Sequence, residues 1–312
     1  MSGSREDGGP SICVVGAALI DLISYVPRLP RVGETLHGTD FRMGYGGKGA
    51  NQAVMAAKLG ARVTIVTGVG RDVFGDGTLE NFRRLGIDTT HVLVDDEAPS
   101  GVAPIAVTPN GDNAIIIVTG ASERLTRDDV ERARPAIASA DVLVCQLEIP
   151  LEITRAALEI AREEGTLTIL NPAPAVADLP PELCAAADVF CPNEVEAELL
   201  LGHPLAVGGA AGGAAELLAR GARSVILTLG ERGCLVHTAD RSIELPVEPV
   251  EVTDTTGAGD AFVGSLAYFL ARGETLAEAA ARANRVAAIS VQSPGTQTSF
   301  PSSESLPTDL LE

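Results

Sequence analysis

An alternation constrains this chain more than any other feature. Six short runs rich in β-branched residues, SICVVG, RVTIVTGVG, DVLVCQLE, TLTILNP, DVFCPN and SVILTLG, are spaced by alanine- and leucine-rich stretches. Near-continuously apolar strands need cover on both faces, which is the situation of parallel strands inside an α/β sheet. The intervening NQAVMAAKLG, LEITRAALEIAREEG, NEVEAELLLG and AAELLARG carry helical spacing, and several close on the glycine expected just past a helix end. The expected fold class is α/β, a doubly wound, mostly parallel central sheet flanked by helices.

Two segments break the rhythm. ISYVPRLPRVGETLHGTDFRMG and SGVAPIAVTPNGDNAIIIVTG have strand-like runs and turn chemistry, and the second contains the hairpin-favouring pair Asn110-Gly111. With no helix to pack on them, they read as a small β-sheet lid inserted at about 19–45 and 98–120. Extra edge strands of the main sheet are the alternative. There is no internal repeat, and residues 1–10 read as disordered, leaving one domain over 11–303.

Charge narrows the partners. A formal charge of −19 repels nucleic acid and anionic membrane, so an anionic ligand must be held by local donors. Cys13, Cys145, Cys184, Cys191 and Cys234 form no CxxC pair and sit in or beside apolar runs, which fits core packing in a reducing cytosol. The opening MSGSREDGGP has no apolar stretch of the signal-peptide kind, and no uncharged apolar run reaches membrane-spanning length. A cytoplasmic protein is expected.

Two glycine-rich stretches are candidate sites. Gly44-Tyr45-Gly46-Gly47-Lys48-Gly49 matches G-x-G-x-x-G, yet the first convincing strand ends 28 residues earlier, so the dinucleotide context is missing. It is not a phosphate-binding Walker loop either, because Gly49 follows Lys48. A glycine-lined turn running into a helix near Ala50 would still present N–H groups, Lys48 and Asn51 to a polyhydroxylated or anionic ligand; a plain structural turn is the alternative. The second stretch is DTTGAGDAF, residues 254–262, between the strand-like PVEPVEVTD and the helical AFVGSLAYFLARG. Its glycines permit close approach, and the free N–H groups of a helix start supply about half a positive charge. Asp260 would be a carboxylate in the first turn, available to accept a proton or serving only as a capping residue.

In this order, GYGGKGANQAVMAAKLGA, CQLEIP, LNPAPA, PNEVEAELL, LTLGERG, DTTGAGDAFVG and SVQSPGTQTS make the chain resemble the ribokinases of the phosphofructokinase-B type sugar-kinase family, from about Ile12 to Pro301. The resemblance implies ATP-dependent phosphorylation of D-ribose at the 5-hydroxyl. Asp260 would be the catalytic base and the backbone of Gly257, Ala258 and Gly259 the anion hole. Sugar hydroxyls would be held by Asp21, Gly47, Lys48, Asn51 and Glu148. Glu148 also lies just past an apolar strand, where open α/β sheets bind ligands, although a solvated strand-end carboxylate reads equally from position alone. The resemblance places Asn193 and Glu196 at the phosphate end, Glu196 acting on Mg²⁺ through water, which suits an ion that keeps several waters. Thr228, Gly230, Gly233 and Asn284 would line the rest of ATP. A potassium ion would lie among Asp254, Thr256, Ser290, Ser293, Gly295 and Ser299, and the lid strands would form a homodimer.

Two positions depart from the family pattern. Ser122 follows Ala121 where an asparagine is usual, and Leu19 stands where some bacterial ribokinases have an asparagine on the sugar. Both weaken the expected discrimination between ribose and 2-deoxyribose. A deoxyribokinase, another sugar or nucleoside kinase, or a catalytically weak sugar-binding regulator on this fold remain alternatives. The retained aspartate speaks against the regulator, and the misplaced glycines speak against a dehydrogenase.

Overall fold

The structure is a computed structural model that describes residues 9–205 and 208–312. Apart from Gly9 and Pro10, the N-terminal stretch expected to be disordered lies outside those residues. The strands are β1 (Ser11–Val15), β2 (Leu19–Tyr25), β3 (Asp40–Gly46), β4 (Arg62–Gly70), β5 (Val92–Asp95), β6 (Gly101–Val107), β7 (Asn113–Ile115), β8 (Val142–Cys145), β9 (Leu167–Leu170), β10 (Val189–Phe190), β11 (Ser224–Thr228), β12 (Cys234–Thr238) and β13 (Ser242–Leu245). Nine of them form one sheet in the order β13-β12-β11-β10-β9-β8-β1-β4-β5.

The six apolar runs are β1, β4, β8, β9, β10 and β11, and every pairing among them is parallel. Their alternation splits the core into two layers. Ile12 and Val14 of β1 join one apolar cluster with the helices Lys48–Lys58 and Ala258–Ala271, while Cys13 and Val15 join the other with the helix Leu151–Glu164. All five cysteines are free and buried in this core. The chain order reverses between β1 and β8, the switch point at which open α/β sheets form a crevice.

The two interrupting segments form a separate four-stranded sheet, β3-β2-β6-β7, with β2 and β6 parallel and the outer pairings antiparallel. They are not edge strands of the main sheet. Asn110-Gly111 does turn the chain between β6 and β7, with Gly111 at φ 89° and its N–H donated to the Thr108 carbonyl at 3.0 Å.

Two local expectations differ from the structure, and one feature was not foreseen. The helix after the glycine turn begins at Lys48, not near Ala50, with Gly47 as its N-cap. PVEPVEV forms no strand: Pro246 and Pro249 offer no ladder N–H, and residues of the segment line a cavity wall. The main sheet ends in an antiparallel hairpin, β12–β13, whose short runs lack the sustained apolar signal of the inner strands.

Candidate active site

The helix Ala258–Ala271 starts between two cavities. Gly257, its N-cap, sits at φ 78°, and a Cβ there would lie 2.6 Å from Thr296 Cγ2, so close packing and a left-handed backbone both call for glycine. No side chain caps the first turn. One cavity, about 460 Å³, is lined by Thr256, Gly257 and Asp260; the other, about 730 Å³, by Thr255, Ala258 and Gly259. The same turn therefore borders both spaces.

The smaller cavity gathers every position proposed for the sugar: Asp21, Gly47, Lys48, Asn51, Glu148 and Asp260. Asp21 lies on lid strand β2, paired with Gly44 of β3, and a Cβ at Gly46 would come within 2.4 Å of its Oδ1. Glu148 follows β8 and accepts the backbone N–H of Lys48 at 2.7 Å. The lid supplies an apolar wall of Leu19, Ala103, Ile105, Ile115 and Ile117.

Buried carboxylates crowd this space. Burial, then the Asp260 charge, pushes Asp21 up to about 6. Burial raises Glu148 to about 7 against the opposing pull of Lys48. For Lys48, burial favours the neutral amine, but the charges of Asp260, Glu148 and Glu196 outweigh it and hold the pKa above its ordinary value. Asp260 is 6% exposed and accepts from Asn51 Nδ2 and Gln52 Nε2, each at 2.9 Å. A carboxylate bound by two amide donors, with a helix start beneath it, is oriented and able to take a proton.

Asn193 and Glu196 line the same cavity and form a capping box: Asn193 Oδ1 accepts the Glu196 N–H, and Glu196 Oε2 accepts the Asn193 N–H, each at 2.8 Å. Burial raises the Glu196 pKa. Among the described residues no group of three or more His, Cys, Asp or Glu could hold a metal ion. Mg²⁺ would thus take most ligands from water and phosphate, which one half-buried carboxylate fits.

Thr228, Gly230, Gly233 and Asn284 line the larger cavity, together with Phe262, Val247, Pro249, Val250 and Val252. Asn284 donates to the Leu245 carbonyl at 3.0 Å, tying its helix, Leu276–Ser290, to β13.

Around Asp254 the loops close on one another. Its Oδ1 accepts the Thr256 N–H and its Oδ2 the Gly295 N–H, each at 2.9 Å, and these bonds keep its pKa below the ordinary value despite partial burial. Ser290 Oγ and Ser299 Oγ each donate at 2.8 Å to the Ala287 and Thr296 carbonyls, leaving their oxygen lone pairs free. One carboxylate among hydroxyl and carbonyl oxygens is a hard donor set that fits a monovalent cation.

Two findings escape sequence reasoning. Ser122 is fully buried and lies outside the sugar cavity lining; its Oγ donates to the Gly68 carbonyl at 2.9 Å and lies 3.4 Å from the Ala18 N–H. Leu19, by contrast, lines that cavity. Conversely, Gln52 and Gln297 sit inside the quoted motifs, but nothing in their spacing shows that their amides converge on the Asp260 neighbourhood.

Known proteins share this arrangement. The pfkB family carbohydrate kinase profile matches residues 10–303. The chain is 44% identical to a ribokinase of Mus musculus over 98% of this chain and 97% of that one, and 41% identical to a deoxyribokinase of Salmonella typhi over 94% and 96%. A structure of Arabidopsis thaliana ribokinase complexed with ribose and ATP superposes with a TM-score of 0.88, at 30% identity, over 97% of this chain and 99% of that one. With two cavities meeting at a glycine-started helix, a lid sheet over one of them, and similarity along nearly its whole length, the chain belongs to the pfkB family of carbohydrate kinases, which are phosphotransferases.

Proposed function

We propose that this protein transfers the γ-phosphoryl group of ATP to the 5-hydroxyl of D-ribose. The observation that carries the reading is the placement of Asp260 and the Gly257–Gly259 turn between a cavity of sugar size that holds four carboxylates and a lysine and a larger cavity of nucleotide size. In this reading Asp260 takes the hydroxyl proton as the oxygen attacks phosphorus, and the ADP oxygen leaves in line. The backbone N–H groups of Gly257, Ala258 and Gly259 stabilise the equatorial oxygens, as a preorganised helix start is suited to do.

Asp21, Gly47, Lys48, Asn51 and Glu148 orient the sugar. Asn193, Thr228, Gly230, Gly233 and Asn284 hold ATP. Mg²⁺, acting through water on Glu196, would neutralise phosphate charge. A potassium ion at Asp254, Thr256, Ser290, Ser293, Gly295 and Ser299 would set the electrostatics of the adjoining turn. One kinase domain over 11–303, with lid insertions near 19–45 and 98–120, accommodates these roles. The lid edges β3 and β7 carry exposed Phe41, Met43 and Ile115, which supports a homodimer through the lid. No helix among the described residues is long and apolar enough to cross a membrane; a cytoplasmic location and the absence of nucleic-acid partners belong to the same proposal.

A second reading has its own support. Leu19 places an apolar side chain in the sugar cavity where an amide would favour an additional hydroxyl, which fits 2-deoxyribose as acceptor. An ATP-consumption screen over ribose, 2-deoxyribose, hexoses and nucleosides, with the product's phosphate position assigned by NMR, separates the readings. Consumption driven by none of these acceptors would sink both.

A further inference from the structure

Asp260 is gripped from two sides by buried amides that extend well beyond the sugar cavity. On one side, Arg84 Nη2 donates to Asn81 Oδ1 at 2.8 Å, Asn81 Nδ2 to Gln297 Oε1 at 3.0 Å, Gln297 Nε2 to Asn51 Oδ1 at 3.0 Å, and Asn51 Nδ2 to Asp260 Oδ2 at 2.9 Å. On the other side, Gln146 Nε2 donates to Gln52 Oε1 at 2.6 Å, and Gln52 Nε2 donates both to Asp260 Oδ1 at 2.9 Å and to Asn171 Oδ1 at 3.1 Å. Asn51 lines the sugar cavity; Gln52, Asn81 and Gln297 do not.

The two ends of the longer line fix its direction. A guanidinium only donates and an ionised carboxylate only accepts. Each of the three amides between them could face either way alone, but with these ends a single arrangement satisfies every link. Each amide turns its oxygen toward Arg84 and its nitrogen toward Asp260. The amides are buried, so water is not at hand to mend a broken link. Asn51 and Gln52 are successive helix positions that do not ordinarily face the same way. They meet one carboxylate because two helices pass unusually close: a Cβ on Gly264, a turn beyond Asp260, would lie 2.6 Å from the Gln52 carbonyl oxygen.

We propose that Gln52, Gln297 and Asn81 are positioning residues for Asp260. Anchored at both oxygens, the carboxylate cannot rotate about its Cβ–Cγ bond, and its remaining lone pairs stay fixed toward the sugar hydroxyl. The inference rests on Asp260 being the base.

Three variants test it by steady-state kinetics with ATP and the best acceptor of the screen. Gln52→Leu removes one anchor without touching the substrate. The expected result is a kcat lower by about 30- to 100-fold, the scale of a misplaced reacting group, with KM for sugar and for ATP within about twofold. Asn81→Asp keeps the shape but cannot donate to Gln297, so that amide and then Asn51 must turn over. A comparable fall in kcat is expected, now with a raised sugar KM because Asn51 lines the sugar cavity, and an unchanged ATP KM. Should Gln52→Leu fail to fold, the isosteric Asn81→Asp carries the test. Wild-type kcat in a folded variant, or a change in KM alone, overturns the relay. Asp260→Asn separates the two layers: wild-type turnover there defeats the base itself, whereas an inactive Asp260→Asn beside fully active relay variants defeats only the relay.

Discussion

Replacing Glu148 by glutamine should stabilise the ligand-free protein while removing a sugar contact. Burial moves this carboxyl from its ordinary 4.5 to about 7 even after the opposing effects of Lys48. A displacement of that size corresponds to at most about 3 kcal/mol. The folded protein holds the proton more tightly than the unfolded chain, so no cost arises below about pH 4.5, where both states are protonated. The cost grows as pH rises toward 7 and is complete above it. The substituted glutamine has no charge to desolvate, and its side-chain oxygen can still accept the Lys48 N–H. The variant's advantage over wild type should therefore be near zero at pH 4.5 and reach about 2–3 kcal/mol at pH 8, a rise of several degrees in Tm. Urea denaturation of both proteins at pH 5, 6, 7 and 8, without ligand, measures this difference while cancelling titrations common to both. A difference that does not vary with pH, or a variant less stable than wild type at pH 8, would refute the argument that Glu148 is held at a desolvation cost for the sake of its ligand.

Three further outcomes are expected. Asp260→Asn should lower kcat by about 10²–10⁴-fold, the usual contribution of a positioned proton acceptor, while ATP still binds by calorimetry; turnover near wild type would remove the base. Leu19→Asn introduces an amide into the sugar cavity and should shift the ratio of kcat/KM for ribose over 2-deoxyribose by about tenfold toward ribose, and an unmoved ratio would show that this wall does not read the 2-position. Exchanging potassium for sodium should lower activity, and equal rates in the two salts would argue against a cation among Asp254, Gly295 and Ser299.

The legible parts of the fold were those written in local chemistry. β1, β8 and β9 announce themselves because strands buried on both faces are almost wholly apolar, Ser11 and Thr168 being the exceptions. The helix Leu151–Glu164 ends where Gly165 takes a left-handed φ of 77°. PVEPVEV misleads because its three valines imitate a strand, while its prolines deny the ladder that a strand needs. The site divides in the same way. Gly257 is visible because its left-handed conformation restricts residue type, and Glu148 is visible because strand ends at a switch point face a crevice. The amide relay is invisible, because Arg84, Asn81, Gln297 and Asn51 come from distant segments and only tertiary packing orients them. Ser122 shows the opposite error, where an unusual residue near a motif is turned into the core by its bond to Gly68.

Electrostatics explains why so small a turn can carry so much of the proposed chemistry. The chain bears a formal charge of −19, and the sugar cavity sets Asp21, Glu148, Glu196 and Asp260 against Lys48 alone. Burial raises the pKa values of Asp21 and Glu148, with neighbouring carboxylates adding to it, whereas Lys48 is raised by those carboxylates against the effect of burial. ATP would add more, so its phosphates cannot be drawn in by the long-range field, which salt in any case screens beyond about 8–10 Å. They must be held at contact distance, where a helix start, one lysine and the proposed cations would outweigh more remote carboxylates. In the proposed step total charge is conserved: Asp260 loses its charge on accepting the hydroxyl proton while the arriving phosphoryl group makes the sugar an anionic phosphate ester. A base inside this cluster would thus offset part of the negative charge that the phosphoryl group brings into the cavity, which a base set apart from the other carboxylates would do less well.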